Sequence, residues 1–112
     1  METVNTDILL GDGFICPPEH INFLAKKLYD GKAEIADAAI AYLEPGGGGP
    51  VHKHTHPHNH LFIVVKGEAR IAFDDKEVLI RENESYLVDG TQPHSVWNNL
   101  PTTTVMVGIT LK

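Results

Sequence analysis

The chain has 112 residues, of which 42% are hydrophobic and 21% charged, a balance typical of one folded domain. Its formal charge is -6, and the basic residues are scattered along the sequence. Because they form no basic stripe, we expect neither a nucleic-acid partner nor a membrane partner. The apolar run near the start follows acidic residues, which argues against a secretory signal and favours a cytoplasmic protein.

The first third of the chain leaves two choices between strand and helix open. Residues 20–29 fit either an edge strand or a short helix. Residues 32–44 are rich in helix formers, but the alternation within 35–43 is compatible with a strand buried on both faces, which we favour. The glycine run at 46–49 is expected to end either element. We predict an N-terminal segment, 1–34, that packs on a barrel formed by 35–112.

From residue 51 onward the chain consists of short runs of β-branched and apolar residues separated by turn residues. Gly67, the Asp89-Gly90 pair and Pro101 mark three of the breaks, because each disfavours a continuous ladder. This rhythm predicts an all-β sandwich or barrel. The predicted strands are 61–66, 69–73, 77–80, 85–88, 94–98 and 103–110.

Histidines are concentrated between His52 and His60, where five of them occupy every second position. Side chains two apart on an extended strand share a face, so His54 and His56 can converge on one ion. Pro57 then breaks the ladder, and a short loop can bring His60 back at the head of the next strand.

A further ligand must come from elsewhere in the chain. His94 is a plausible distant donor because it opens another apolar segment, and His20 is the other histidine available. Neutral imidazole is a common ligand of zinc, copper, iron and nickel. The alternative is a solvated histidine-rich loop that binds metal loosely.

The spacing resembles the first motif of the cupin family, G-x5-H-x-H-x3-E-x6-G. Gly48, His54, His56, His60 and Gly67 fit every interval, with His60 in the place of the usual glutamate. Moving the register two residues toward the N-terminus loses the interval to the final glycine. The motif therefore selects these three histidines over their neighbours.

The second cupin motif, G-x5-P-x-G-x2-H-x3-N, is matched only in its last part. His94 and Asn98 keep the terminal interval, whereas Asn83, Asp89 and Thr91 stand where glycine, proline and glycine are expected. The resemblance therefore supports the histidine more strongly than the turn before it.

Similarity to the cupin family implies an all-β, double-stranded β-helix (jelly-roll) barrel with an irregular N-terminal segment. It implies one divalent transition metal, Mn, Fe, Ni or Zn, held by His54, His56, His60 and His94. It also implies a homodimer, as is common for small barrels of this family. We expect Phe62, Val64, Val96 and Val107 to line an apolar interior around the metal.

Four neutral imidazoles leave the charge of a divalent ion uncompensated, which favours an anionic small-molecule ligand or substrate. We therefore predict a metal-dependent enzyme of the dioxygenase or isomerase type, acting on a small oxygenated or anionic molecule. The alternative is a non-catalytic, metal-containing module that binds or senses a small ligand. Strand alternation from His54 directs His52 to the same face, where it is a candidate catalytic acid or base. The other interpretation of His52 is a histidine in contact with water.

Overall fold

The structure is a computed structural model that describes residues 13–112. Within this range the chain forms eight strands, all paired antiparallel, and no helix, which confirms the predicted all-β class. The strands are β1 (Ile21–Lys32), β2 (Ile35–His54), β3 (His60–Lys66), β4 (Glu68–Phe73), β5 (Glu77–Arg81), β6 (Ser85–Val88), β7 (His94–Asn98) and β8 (Thr104–Leu111). Residues 1–12, which include the apolar run near the start and part of the predicted N-terminal segment, lie outside this range.

The strands close into a nearly complete antiparallel barrel of the predicted jelly-roll type. They are hydrogen-bonded in the order β5-β4-β7-β2-β8-β3-β6, and β1 joins the remaining edge of β2. The two ends of this path, β5 and β6, are joined by a short turn that bonds to Val64 of β3: the Val64 N–H donates to the carbonyl of Glu84 at 3.0 Å, and its carbonyl accepts from Asn83 at 2.7 Å. No helix long and apolar enough to cross a membrane occurs in residues 13–112.

The first third of the barrel is built from strands rather than helices. Residues 20–29 fall largely within β1, which lies along β2, and β8 pairs with the other edge of β2. Side chains of β2 alternate between the barrel interior, with Ala39 and Ala41, and the outer face, with Ala38 and Ile40. Hydrogen bonds to partner strands on both edges hold this segment in the extended form. They outweigh its preference for a helix, because helix propensities of ordinary residues differ by at most about 0.7 kcal/mol per residue.

The glycine run does not end β2, contrary to our expectation from the sequence. The strand pairs with β8 as far as Leu43 and then with β7 from Gly48, so it changes partners along its length. A Cβ atom on Gly48 would overlap the backbone oxygen of Val96 and lie 2.6 Å from the ring of Trp97. Glycine therefore permits the close crossing at which the strand changes partners.

A compact apolar cluster fills the barrel beneath a cavity. Ala41, Val96 and Met106 belong both to this cluster and to the cavity wall, so the core supports the cavity directly. The buried members of the cluster are Ala41, Leu43, Val64, Ala69, Ile71, Phe73, Ile80, Val88, Val96 and Met106.

Asn98 fastens the end of β7 to the neighbouring chain. Its side-chain amide donates to the carbonyls of Leu43 (2.9 Å) and Thr102 (2.7 Å), and its oxygen accepts from the Leu100 backbone N–H (2.9 Å) and the Thr104 hydroxyl (2.8 Å). The buried amide is thus well satisfied, as burial requires. These bonds hold the strand that begins with one of the predicted metal ligands.

Candidate metal centre

The four predicted ligands come from the ends of three strands and from one loop. His54 ends β2 and is the cross-strand partner of His94, the first residue of β7, while His60 begins β3. His56 does not continue the strand as alternation predicted, because β2 stops at His54. Instead, its backbone N–H donates to the carbonyl of Gly90 at 2.8 Å, which holds the loop against the turn before β7.

Three of these histidines converge on one point. Ligand nitrogens of His54, His56 and His94 lie within 4.8 Å of one another. Their ring centroids are 4.8 to 5.0 Å apart, and the ring planes cross at 70° to 88°. Nitrogens bound at about 2.0–2.1 Å to one zinc ion are separated by roughly 3–4 Å, so small side-chain movements bring this group to ligand distance.

Hydrogen bonds from the backbone set the proton position on two of the rings. The Nδ1 atom of His56 lies 2.6 Å from the carbonyl of His58, and Nδ1 of His94 lies 2.7 Å from the carbonyl of Gln92. A carbonyl can only accept, so each Nδ1 carries the proton and each Nε2 carries a lone pair.

Both of these Nε2 atoms are buried, and neither has a hydrogen-bond partner among the described residues. A buried polar atom without a partner is costly, by about 1–3 kcal/mol, and is therefore rare in folded proteins. A metal ion at the point of convergence would satisfy both lone pairs. The residues present therefore fit a divalent transition metal held by imidazole.

His60 lies beside the cluster rather than in it. Its ring stacks on that of His56, with centroids 4.3 Å apart and planes 21° apart, and its centroid is 6.3 Å from that of His94. Its Nε2 lies 3.3 Å from the hydroxyl of Thr110. Since the lone pair of an imidazole nitrogen lies in the ring plane, two stacked rings do not aim at one ion. Ligation by His60 stays a prediction.

Burial favours the neutral form of three of these imidazoles, those of His54, His60 and His94. It lowers the pKa of His60 to about 4, with a smaller contribution from the neighbouring His56 and His94. Burial is also the main cause of the lowered pKa values of His54 and His94. A neutral imidazole is the form that binds a metal, so the lowered pKa values favour metal binding at neutral pH.

A cavity of about 490 Å³ opens next to the histidines and has His54, His60 and His94 in its wall. Phe62 and Val96 line it, as the sequence predicted. The other apolar parts of the wall come mainly from Phe23, Ala25, Ala39, Ala41, Met106 and Gly108.

Two of the predicted lining residues lie elsewhere. Val64 is fully buried in the core cluster. Val107 is not on the cavity wall, because Met106 and Gly108 on either side of it face the cavity and strand side chains alternate.

His52, the predicted acid or base, is not on the cavity wall. Its side chain is 88% exposed, and its Nδ1 lies 2.9 Å from the carboxylate of Glu19, a contact that lowers the pKa of Glu19. The alternation that was to align it with His54 fails because the pairing of β2 with β7 shifts register between Gly49 and His54. His52 is therefore in contact with water, which was the other interpretation of this residue from the sequence. A catalytic role for His52 stays a prediction.

Four polar residues of the cavity wall lie outside the predicted set of ligands and catalytic groups: His20, Lys27, Asp37 and Thr110. His20 faces the cavity with its Nδ1 bonded to the carbonyl of Pro18 at 2.7 Å. Asp37 and Thr110 lie in one cross-strand row with His60, because Thr110 pairs with both of them. Only strand register reveals this row, since the three residues are distant in sequence.

Comparison with known families agrees with this geometry. A family model described as a cupin domain matches residues 39–110, which is well over half of the chain. The chain belongs to the cupin family. A search of curated proteins found no match to this cupin.

Solved structures with the same fold include proteins of several kinds. The polyketide cyclase RemF from Streptomyces resistomycificus is 18% identical, with a TM-score of 0.70 over 87% of this cupin and 70% of that chain. The cupin domain of an XRE family transcriptional regulator from Enterobacter cloacae is 17% identical, with a TM-score of 0.71 over 82% of this cupin and 98% of that chain. A predicted oxalate decarboxylase from Thermotoga maritima is 20% identical, with a TM-score of 0.69 over 86% of this cupin and 92% of that chain. At such identities the likeness concerns the fold alone.

Proposed function

We propose that this cupin is a metal-dependent enzyme acting on a small oxygenated or anionic molecule, by a reaction of the dioxygenase or isomerase type. One divalent transition metal, Mn, Fe, Ni or Zn, is held by His54, His56 and His94, with His60 as the fourth ligand. The proposal is carried by two buried Nε2 lone pairs that have no partner within residues 13–112, in a cluster that adjoins a cavity.

The chain's own residues prepare this site for an anionic or oxygen-rich ligand. The carbonyls of His58 and Gln92 hold two imidazoles in the ligating tautomer. Because the ligands are neutral, no carboxylate among them offsets the charge of the ion, and a negatively charged ligand gains affinity. Apolar side chains such as Phe62 and Val96 exclude water from the bound molecule. When bound, the metal supplies Lewis acidity and, if it is iron or manganese, access to dioxygen chemistry.

The assignment of His60 as fourth ligand requires its ring to turn out of the stack with His56, so that its lone pair is aimed at the ion. Its Nε2 then gives up the 3.3 Å contact with Thr110 in exchange for the ion. That contact is at the long end for a hydrogen bond, so the exchange costs little.

A second candidate function is a non-catalytic module that binds or senses a small ligand through the metal. It is favoured by the location of His52, the candidate acid or base, on the surface and off the cavity wall. Solved structures with this fold include both a domain of a transcriptional regulator and a polyketide cyclase, so the fold is compatible with either function.

Elemental analysis of protein purified without an affinity tag tests the metal site. We expect one divalent metal per chain, with most of it lost in His54→Ala and in His94→Ala. His58→Ala is the matched control, because His58 is an exposed histidine of the same loop and contributes only its backbone carbonyl. Full metal content in His54→Ala would sink the ligand assignment, and His60→Ala reports separately on the fourth position.

Turnover measurements separate the two candidate functions. The metal-loaded protein is screened with small diketones, enols and sugars, with dioxygen uptake and isomerisation as readouts. Iron or manganese together with dioxygen uptake, or isomerisation with any of the four metals, supports the enzyme. Zinc alone with tight ligand binding and no turnover supports the binding module.

A further inference from the structure

A short segment before β1 contributes to the cavity wall, and we call residues 15–20 the strap. Its first residue exchanges two backbone hydrogen bonds with Ala25 of β1, at 2.9 and 2.8 Å. Near its other end the carbonyl of Glu19 accepts from the backbone N–H of Val51 in β2, at 3.0 Å. The strap is therefore tied to two strands, and its last residue, His20, lines the cavity.

The ring of His20 lies between two other residues of the cavity wall. It packs against the ring of Phe23, with centroids 4.5 Å apart. On its other neighbour, Gly49, a Cβ atom would lie 2.9 Å from Cγ and Cδ2 of the imidazole. Glycine thus lets the ring lie directly against the backbone of β2. Because both neighbours line the cavity, the imidazole itself belongs to the wall.

A backbone carbonyl sets the proton position on this ring too. Nδ1 of His20 lies 2.7 Å from the carbonyl of Pro18. Since a carbonyl only accepts, Nδ1 carries the proton and Nε2 carries a lone pair, which points away from that carbonyl. No group within residues 13–112 donates a hydrogen bond to this Nε2. The lone pair is therefore available to a bound molecule.

The proposed reaction needs a proton acceptor within reach of the bound molecule. His52 does not line the cavity, so another group has to take this role. Among the wall residues within 13–112 that lie outside the ligand set, the basic candidates are His20 and Asp37. Lys27 is on the wall as well, but an ammonium group has no lone pair to accept a proton.

Of the two candidates, His20 is nearer to the converging histidines. Burial is the main cause of the lowered pKa of His54, and the charge of His20 adds to it, so the two imidazoles lie within range of each other's charge. Asp37 lies instead in the cross-strand row of His60, which is beside the cluster. His20 is therefore the candidate base for a ligand held at the cluster.

The strap also carries a charge that favours a protonated His20. Glu19 is its neighbour in the chain, and the pKa of Glu19 is lowered mainly by its hydrogen bond with His52, with a smaller contribution from His20. An anionic carboxylate next to an imidazole stabilises the imidazolium form. His52 thus contributes indirectly, because it holds the Glu19 carboxylate at 2.9 Å.

We propose that His20 is the catalytic base of this cupin and takes a proton from a hydroxyl group of the ligand at the metal. The O–H bond breaks, its electron pair stays on the ligand oxygen, and an N–H bond forms at Nε2. The imidazolium keeps its Nδ1–H bond to the Pro18 carbonyl, and no further reactant is needed. The inference rests on the proposed metal site and assigns it a ligand class, compounds with an acidic hydroxyl next to a second oxygen.

Calorimetric titration of the zinc-loaded protein with acetohydroxamic acid at neutral pH tests this proton transfer. The probe binds a metal ion as its anion, so the proton of its N-hydroxyl group goes either to a base in the protein or to the buffer. Titrations in two buffers of different ionisation enthalpy count the protons released. We expect His20→Asn to release about one proton more per bound probe than the unmodified protein, and to bind the probe about tenfold more weakly.

His20→Asn is a matched variant, because its amide nitrogen can still donate to the Pro18 carbonyl while the Nε2 lone pair is lost. Asp37→Asn removes the other candidate base and is expected to match the unmodified protein in both measurements. If His20→Asn also matches the unmodified protein, or if the extra proton appears only in Asp37→Asn, the proposal is wrong.

His20→Gln distinguishes a base from a hydrogen-bond acceptor, and it serves in place of His20→Asn if that variant does not fold. Its amide oxygen can accept a hydrogen bond from the ligand but does not hold a proton. We expect the extra proton release together with a smaller loss of affinity. Proton release equal to that of the unmodified protein would show that the imidazole of His20 takes no proton.

Magnetic resonance of the metal-free protein gives a readout that does not depend on zinc. Long-range proton–nitrogen spectra of nitrogen-15-labelled histidine are expected to show His20, identified by the signal lost in His20→Asn, with its proton on Nδ1. A proton on Nε2 would overturn the proposal. If zinc analysis finds no bound metal, the metal site fails. A shift of the His20 Nε2 signal on addition of acetohydroxamic acid then still supports this residue, and no shift contradicts it.

Discussion

The chemistry of single residues in this cupin depends on which imidazole nitrogen carries the proton. In His56 and His94, a hydrogen bond to a backbone carbonyl holds the proton on Nδ1. His60 instead meets a hydroxyl, which either donates or accepts, so its tautomer is not set in the same way. This difference explains why two histidines offer a fixed lone pair to an ion and the third is free to change partners.

At the same scale, the histidines give the metal-free protein a specific pH dependence. The pKa of His60 is about 4 in the folded protein, against an ordinary value of 6.5. The unfolded chain therefore binds more protons between these two values, so folding stability falls as pH drops from 6.5 to 4 and this loss levels off below 4. We expect the thermal midpoint of EDTA-treated protein to fall by on the order of 5 °C over this range from His60.

His60→Gln identifies the contribution of this group against the carboxylates that titrate nearby. The variant is expected to show a flatter dependence of the thermal midpoint on pH than the unmodified protein. His58→Gln, at an exposed position, is expected to keep the full dependence. A pH dependence that is the same in all three proteins would contradict the burial of His60.

Among the elements, the turn before β7 positions the histidine that lies on no strand. Gly90 accepts the backbone N–H of His56 through its carbonyl, and its own N–H donates to the side chain of Asn59 at 3.1 Å. A Cβ at this position would overlap the carbonyl of His58 and lie 2.5 Å from Nδ1 of His56. The glycine thus allows the loop and the turn to approach closely enough to aim one ligand.

Gly90→Ala is therefore expected to weaken metal binding with little loss of strand structure. The methyl group displaces the loop and disturbs the bond between Nδ1 of His56 and the His58 carbonyl, and we expect about a tenfold loss of zinc affinity. Competition with a chelating dye measures the affinity, and circular dichroism checks the fold. Thr91→Ala, an exposed position in the same turn, is the control. An unchanged affinity in Gly90→Ala would contradict this role.

For the whole molecule, the outer face of the sheet is more apolar than a solvated surface requires. Leu61 and Ile63 of β3 and Val107 and Ile109 of β8 alternate with residues that face the interior, so they cover the outside together. Leu87 of β6, the partner of Leu61, is 50% exposed. An apolar face of this kind favours association, and the homodimer stays a prediction.

We accordingly predict a homodimer that uses this face. Light scattering at micromolar concentration is expected to give twice the chain mass of 12.3 kDa. Leu87→Lys is expected to weaken the dimer by about tenfold, because a charge is placed in an apolar contact. Val51→Lys is the control, since Val51 is similarly exposed, at 51%, but lies on the part of β2 that pairs with β7. A monomeric unmodified protein would contradict the prediction.

The sequence by itself determined the all-β class, most strand positions and the four histidines of interest. These properties follow from short-range patterns in the sequence: alternation, turn residues such as Gly67, and the fixed interval from Gly48 through His54 to the following glycine. Each depends on neighbours in the chain, so one sequence suffices to predict it.

Tertiary structure alone decided how those residues meet. Strand register placed Thr110 beside His60 and moved His52 to the surface. It also made β2 continue through its glycines, because two different partner strands hold its two halves. Such pairings join residues distant in sequence, and their free energy exists only once the barrel has closed.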